Sequence, residues 1–344
     1  MMKKKILLAI LGIFLGFLLF VTWKGYDIYK EYNNSVTKEG EQVEVNIEKG
    51  TSIKQIATIL KEKGLIQYEY AFLWKVKQTE YGPKLRYGTF ILHKGMCIED
   101  MLEALSSKGV DKEKIKVVIP EGYSIELIAK RLEEKGVCQE VDFLEAANSL
   151  DYDLPFLKQL KIKEGVNYQL QGFLFPATYE FYPSSDASFI VETMLHTFLK
   201  YVGEDRIEQM EQAGQDLYEI VTIASMIERE ARVEEERPVI AGVIYNRLKE
   251  NMRLQIDPTV LYPLTNGLYN AKRVLYKDLE IDSPYNTYRN HGLPLGPICS
   301  PGLSAIEGAL SPEEHEYLFY HTDGSPEGRH IFTKTFEEHK ATMK

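Results

Sequence analysis

Residues 216–262 read DLYEIVTIASMIEREARVEEERPVIAGVIYNRLKENMRLQIDPTVLY. One acidic residue, Glu228, directly follows a run of apolar or small residues: Ile223, Ala224, Ser225, Met226 and Ile227. A carboxylate within an apolar helix is costly unless it is paired or keeps its proton. A retained proton is what a general acid needs near neutrality. A partly exposed glutamate paired with Arg229 or Arg232 is the competing reading. Asp216 followed by Glu219 predicts a capped helix start, and the helix is expected to run through about Val233. Val221, Ala224, Ser225 and Ala231 share the face of Glu228 at helical spacing. Small side chains beside the carboxylate are expected to leave room for a ligand. Glu230 lies off that face and is assigned support.

Pro238 suits the first turn of a second helix, with Ile240, Ile244 and Leu248 as its apolar stripe and Asn246 and Arg247 beside it. Asp257-Pro258 marks a break. Gln255 and Asp257 straddle Ile256, so in an extended segment they face one side as paired hydrogen-bonding groups. They suit sugar hydroxyls or the orientation of Glu228; an Asx-turn at Asp257 is compatible with both.

The 344-residue chain is 44% hydrophobic and 27% charged, with a formal net charge of −10. Residues 1–30 carry five lysines against Asp27, a charge of +4, so the remainder carries −14. Such an acidic body argues against nucleic acid as a partner. Cys97, Cys138 and Cys299 lie far apart without ligand spacing, which points to no disulfide framework and no zinc site. Residues 6–23 (ILLAILGIFLGFLLFVTW) form an uncharged run of 18. Its length and the preceding Lys3–Lys5 predict a single transmembrane helix with residues 1–5 in the cytoplasm and the body outside. A cleaved signal peptide is the rival reading, but no A-x-A-like site follows. Residues 24–41 read as a polar stalk.

Residues 45–66 (VNIEKGTSIKQIATILKEKGLI) and 117–138 (VVIPEGYSIELIAKRLEEKGVC) are two copies of one unit. At an offset of 72, Val45, Ile47, Gly50, Ser52, Ile53, Ile56, Ala57, Leu60, Glu62, Lys63 and Gly64 meet identical residues. Each copy predicts a strand, a glycine turn, a serine-capped amphipathic helix and a closing glycine. After the first copy, residues 87–92 predict a strand and Met101, Leu102 and Leu105 a short helix. Residues 42–110 thus predict a module of strands and two helices, which resembles the LysM-like module of some wall-binding proteins. A generic α+β spacer fits the same pattern.

Residues 170–183 are aromatic and strand-like, with Phe173 and Phe175 assigned to the core; a helix is expected over about 187–201. Residues 283–302 (SPYNTYRNHGLPLGPICSPG) read as a binding loop offering Asn286, Thr287 and Tyr288. A helix at 305–310, a hairpin turning at Asp323-Gly324 and a final helix follow. His291, His315, His321, His330 and His339 lack metal spacing and read as solvated or capping groups.

IASMIEREA, VIYNRLKENMRLQIDPTVLY, YNTYRNHGLPLGPICSPG and YLFYHTDGSPEGRHIFTKTFEEHKA occur in this order. By these segments the chain resembles the endolytic murein transglycosylases of the YceG-like family. The resemblance implies an α+β architecture: an N-terminal transmembrane helix, a small LysM-like α+β module, and a larger mixed α+β catalytic domain over 115–344. The family's A-S-x-[IV]-E-x-E motif falls on Ala224–Glu230, which makes Glu228 the catalytic residue. Substrate-binding or supporting roles are expected for Ser225, Glu230, Asn246, Arg247, Gln255, Asp257, Tyr262, Asn286, Thr287 and Tyr288. The implied substrate is peptidoglycan glycan strands cut internally at the cell membrane beside their synthases, the penicillin-binding proteins, without metal or cofactor. Two departures stand out. The family's L-E-G-x-[LF]-x-P-D-T-Y reads LQGFLFPATY here, with Gln171 and Ala177 at acidic positions, and G-L-P-P-G-P-I has Leu295 in place of a proline. A water-using glycoside hydrolase (Glu228 with Asp257 or Glu230) and an inactive wall-binding scaffold remain as alternatives.

Overall fold

A computed structural model describes residues 25, 26, 29, 42–48, 50–107, 114–271 and 273–343. The expected membrane span, 6–23, lies outside the described residues, as does most of the stalk. No helix among the described residues is long and apolar enough to cross a membrane. The chain divides into two compact units between residues 113 and 114.

In the first unit β1 (Gln42–Ile47) pairs antiparallel with β2 (Gly88–His93), in the register Gln42↔His93 to Ile47↔Gly88. Three helices accompany them, α1 (Ile53–Glu62), α2 (Glu69–Gln78) and α3 (Ile98–Ser106). The sequence reading expected two. The extra one, α2, has no side-chain cap and buries only Ala71, Phe72 and Val76, so its apolar stripe is weak. The core is Val45, Ile47, Ile56, Leu60, Phe72, Phe90, Leu92, Met101, Leu102 and Leu105.

Both repeat copies fold as the pattern dictates. The second is β3 (Ile115–Val118) and α4 (Ile125–Glu134). Ser52 and Ser124 each cap their helix by accepting from the backbone N–H three residues on. Gly50 and Gly122 take the left-handed turn, at φ +94 and +76. The copies differ in what covers them. Ile53 is 36% exposed, whereas its counterpart Ile125 is fully buried. The second copy is built into the larger unit, where the Ser124 hydroxyl also donates to the Gly267 carbonyl at 2.7 Å.

In the second unit β3 pairs with β4 (Thr178–Phe181). Around this pair lie α5 (Glu140–Ala146), α6 (Ala187–Val202), α7 (Glu204–Gln212), α8 (Leu217–Glu230), α9 (Arg237–Lys249), α10 (Pro258–Leu264) and α11 (Leu303–Leu310). A hairpin of β5 (Phe319–Thr322) and β6 (His330–Thr333) precedes α12 (Phe336–Thr342). The loop between β5 and β6 spans 323–329, longer than a two-residue Asp-Gly turn. Asp323 closes its start by accepting from the Ser325 N–H at 2.8 Å.

Helix α8 is the axis of this unit, with ten of its fourteen residues buried. A helix apolar on all sides belongs inside a core rather than on one. Phe156, Phe173 and Phe198 pack as an aromatic cluster that reaches Tyr218 on its first turn. Asp216 caps it by accepting from the Tyr218 N–H, so the predicted cap residue is right but no capping box forms. The helix stops at Glu230, because Ala231 turns extended at ψ 114.

Glu126 is a buried acid within this frame. Its carboxyl lies where a side chain on Gly267 would be, and one oxygen lacks a hydrogen-bond partner. Burial lifts its pKa from 4.5 to about 7. The folded form therefore holds its proton to higher pH than the unfolded chain does. The stability tied to that proton is fully present below about 4.5 and is lost as pH rises through about 7. Thermal melts across this range are expected to show Glu126→Gln losing less stability than the wild type, by on the order of 3 kcal/mol. Parallel pH dependence in the two proteins would contradict this.

Candidate active site

Glu228 sits on the last turn of α8 with a side chain only 7% exposed. One carboxylate oxygen accepts from the Arg237 guanidinium at 3.1 Å, the other from the Gly302 backbone N–H at 3.0 Å. Arg237 opens α9, and Gly302 is the N-cap of α11, so the positive end of a second helix points at the acid. Arg237 also lies 3.8 Å from Glu121. Arg229 stacks over the Tyr269 ring at 3.8 Å and donates to the Gly122 carbonyl at 3.3 Å. Burial raises the Glu228 pKa above that of an ordinary carboxylate; Arg237 and the Gly302 N–H work against burial, and Glu121 adds to it.

The loop that supplies Gly302 is fixed by Ser225. Its hydroxyl accepts from the Ile298 N–H at 3.0 Å and donates to the Thr222 carbonyl, and the Cys299 thiol donates to its carbonyl. Two further backbone bonds, Gly122 N–H to the Ser300 carbonyl at 2.9 Å and Ser300 N–H to the Tyr123 carbonyl at 2.7 Å, join this loop to the turn of the second repeat. Val221, Ala224 and Ser225 are fully buried and Ala231 nearly so. The small residues on the face of Glu228 thus admit the 297–302 loop and α11 against α8, so packing takes up the face where the sequence reading expected room for a ligand. Room would be missing even at Gly172, where a Cβ would lie 2.7 Å from Val221.

The other predicted site residues fall into two groups. Glu230, Asp257 and Tyr288 come together. The Tyr288 hydroxyl donates to Asp257 at 2.6 Å. Burial, then the Asp257 charge, raises the Glu230 pKa to about 7, against a hydrogen bond from Tyr320. Gln255 and Asp257 are exposed on either side of buried Ile256, as expected, but not in an extended segment: Gln255 has φ +52 and Asp257 begins α10. The Asp257 side chain makes no helix cap.

Asn246, Arg247, Asn286 and Thr287 bond the backbone of neighbouring segments, and Tyr262 is packed in the core. Asn246 donates to the carbonyls of His315 and Tyr317 at 2.8 and 3.1 Å. Arg247 donates to those of Leu318 and Leu254 at 2.5 and 2.6 Å. Asn286 is fully buried and donates to Leu279 and Ile281, and Thr287 accepts from the Ile256 N–H at 3.0 Å. Tyr262 is fully buried, its ring edge-on to Tyr285 with centroids 5.0 Å apart. Sequence alone cannot separate a polar group aimed at a ligand from one that satisfies a buried carbonyl. His330 is likewise not solvated: its ring and backbone N–H both bond Glu236, the residue before Arg237.

Arg237, Gly302 and Glu121 are site residues that the sequence reading missed. Arg237 is legible as a cation nine positions after Glu228, at the start of the next helix. Gly302 is legible as the glycine of Ser300-Pro301-Gly302 opening another.

Glu228 is thus a buried carboxyl of raised pKa at the junction of three helices, held by one guanidinium and one backbone N–H. Residues 45–344 match the YceG-like family, and the chain belongs to it. A Bacillus subtilis (strain 168) protein named endolytic murein transglycosylase is 37% identical over 305 residues, covering 86% of this chain and 82% of its own. A protein of the same name from Streptococcus pneumoniae serotype 2 (strain D39 / NCTC 7466) is 32% identical over 350 residues; 95% of this chain aligns, spanning 63% of that relative's length. A crystal structure of a yceG-like protein from Listeria monocytogenes superposes with a TM-score of 0.59 at 33% identity, over 88% of this chain and 99% of that one.

Ser225→Ala leaves the buried Ile298 N–H without its acceptor. The expected cost is about 1–3 kcal/mol, read as a lowered midpoint in denaturant. An unchanged midpoint would mean that Ser225 does not hold the loop.

Proposed function

We propose that this chain is a membrane-anchored endolytic lytic transglycosylase acting on peptidoglycan. The observation that carries the reading is the buried Glu228 carboxyl, its pKa raised by burial and its two oxygens bonded to Arg237 and the α11 N-terminus. The names of the relatives supply the substrate class.

The geometry fits a reaction that needs one carboxyl group. Protonated Glu228 gives its proton to the glycosidic oxygen between N-acetylmuramic acid and N-acetylglucosamine as that bond breaks. The resulting carboxylate accepts the proton of the muramyl C6 hydroxyl, whose oxygen closes onto C1 as a 1,6-anhydro ring. Arg237 and the Gly302 N–H, worth little to a neutral acid, stabilise the carboxylate between the two transfers. Asp257, Gln255 and Tyr288, the exposed or half-exposed polar members of the predicted set, are the candidates for binding the sugar. In this proposal residues 6–23 anchor the chain with the N-terminus in the cytoplasm. The module at 42–110 meets the wall, and cleavage beside the penicillin-binding synthases limits the length of nascent strands.

A hydrolytic reading is favoured by one observation, a second pair of interacting carboxyls, Glu230 at the end of α8 and Asp257 at the N-cap of α10. Product masses separate the two. The full chain in detergent, given uncrosslinked glycan strands, is expected to release internal fragments ending in 1,6-anhydro-N-acetylmuramic acid, 18 mass units below hydrated ends. Glu228→Gln, folded by circular dichroism, is expected to lower turnover by at least about 10³-fold. Uniformly hydrated ends would overturn the transglycosylase assignment, and a fully active Glu228→Gln would overturn the site.

A further inference from the structure

Glu228 is one of two carboxylates gathered on Arg237. The other, Glu121, comes from the turn between β3 and α4, in the second repeat copy. Its Oε2 lies 3.8 Å from the same Nη2 that bonds Glu228 at 3.1 Å. Glu121 also lies against the second donor to Glu228. A Cβ built on Gly302 would fall 1.9 Å from Glu121 Oε1, so glycine is required at this N-cap for the carboxylate to lie there. The two backbone bonds between residues 122–123 and Ser300 hold Glu121 in this position. Unlike Glu228, its side chain is 52% exposed.

We propose that Glu121 is a positioning residue for the proton cycle of Glu228. It shares Arg237 with Glu228 and offsets the charge of the guanidinium, so that Glu228 keeps its proton until the glycosidic oxygen takes it.

The charge count explains the need. With Glu228 protonated and Glu121 absent, Arg237 would be an uncompensated cation beside a buried acid, and would favour ionising it prematurely. With Glu121 present, Arg237 is neutralised while Glu228 is neutral. Once the proton has gone to the glycosidic oxygen, the trio carries one net negative charge, and Arg237, already 3.1 Å from Glu228, holds the new carboxylate. Return of the C6 hydroxyl proton to Glu228 restores the neutral acid. The other groups facing Glu228 are Arg229 on its own helix and the Cys299 thiol from the loop before α11.

This inference rests on Glu228 acting as acid then base, so its test includes a readout without turnover. The full chain in detergent is compared with Glu121→Gln, Glu121→Asp and Arg237→Gln. Strand cleavage is followed against pH, and the Glu228 carboxyl is titrated by carbon-13 NMR. Glu121→Gln is expected to lower the Glu228 pKa, moving the alkaline fall of kcat/KM down by about half to one unit; the loss grows with pH to about tenfold. Arg237→Gln is expected to move both readouts upward, and Glu121→Asp to restore much of the wild-type profile. A Glu228 titration unmoved by Glu121→Gln, or a loss of activity equal at every pH, would overturn the role of Glu121. An active Glu228→Gln would instead overturn the acid–base reading, leaving the NMR shift to judge Glu121 alone.

Discussion

The bonds that Glu228 accepts from the Gly302 N–H and the Arg237 guanidinium tie three separate stretches of chain together at one carboxyl. A buried carboxylate with no donors would be costly, and one with strong cationic partners alone would ionise too readily to act as an acid. The site lies between those limits. Burial raises the affinity of Glu228 for its proton, and one guanidinium and one helix N-terminus bring it part of the way back. In the proposed reaction the same opposition serves a proton that leaves and returns.

Keeping that balance requires the donors to be fixed, which accounts for much of the surrounding structure. Ser225, one turn before Glu228, binds the loop that leads to Gly302. The second repeat copy binds the same loop from the other side through Gly122 and Tyr123. The hairpin of β5 and β6 is bonded through His330 to Glu236, next to Arg237 in sequence. Each element that touches Glu228 is therefore held by a neighbour that does not. A unit repeated once as a small module and once inside the larger unit supplies, in its second setting, a turn that holds both Glu121 and the loop.

Much of this was legible in the sequence, and the limits have physical causes. The repeat copies were readable because strand alternation, Ser caps and left-handed glycines are local signals, and both copies obey them. Glu228 was readable because an acid within an apolar helix is a local contradiction. The partners of Glu228 were not, since Arg237 and Gly302 reach it by tertiary packing. Asn286 and Thr287 are ambiguous for a related reason: a polar loop residue offers the same donors and acceptors to a sugar and to a buried carbonyl, and here both bond backbone groups. The small residues beside Glu228 show a further ambiguity. Alanine and serine at helical spacing permit either a ligand or a close-packed loop, and here the loop occupies that face.

The two missing acids of the family pattern belong to the frame and not to the site. Gln171 is buried, and its carbonyl oxygen accepts from the Ile125 N–H at 3.0 Å at the start of α4. A glutamate could make the same bond, but it would place a second carboxyl beside the residue that precedes Glu126, which is already buried with a raised pKa. Two such groups in one apolar region cannot both ionise without large cost. The amide at 171 keeps the cap and avoids the second charge. At Ala177 the structural contribution is a main-chain carbonyl that accepts from the Ile119 N–H, a bond that does not depend on the side chain. Neither change reaches Glu228, Arg237 or Gly302, so the departures alter how the frame titrates and leave the acid and its donors in place.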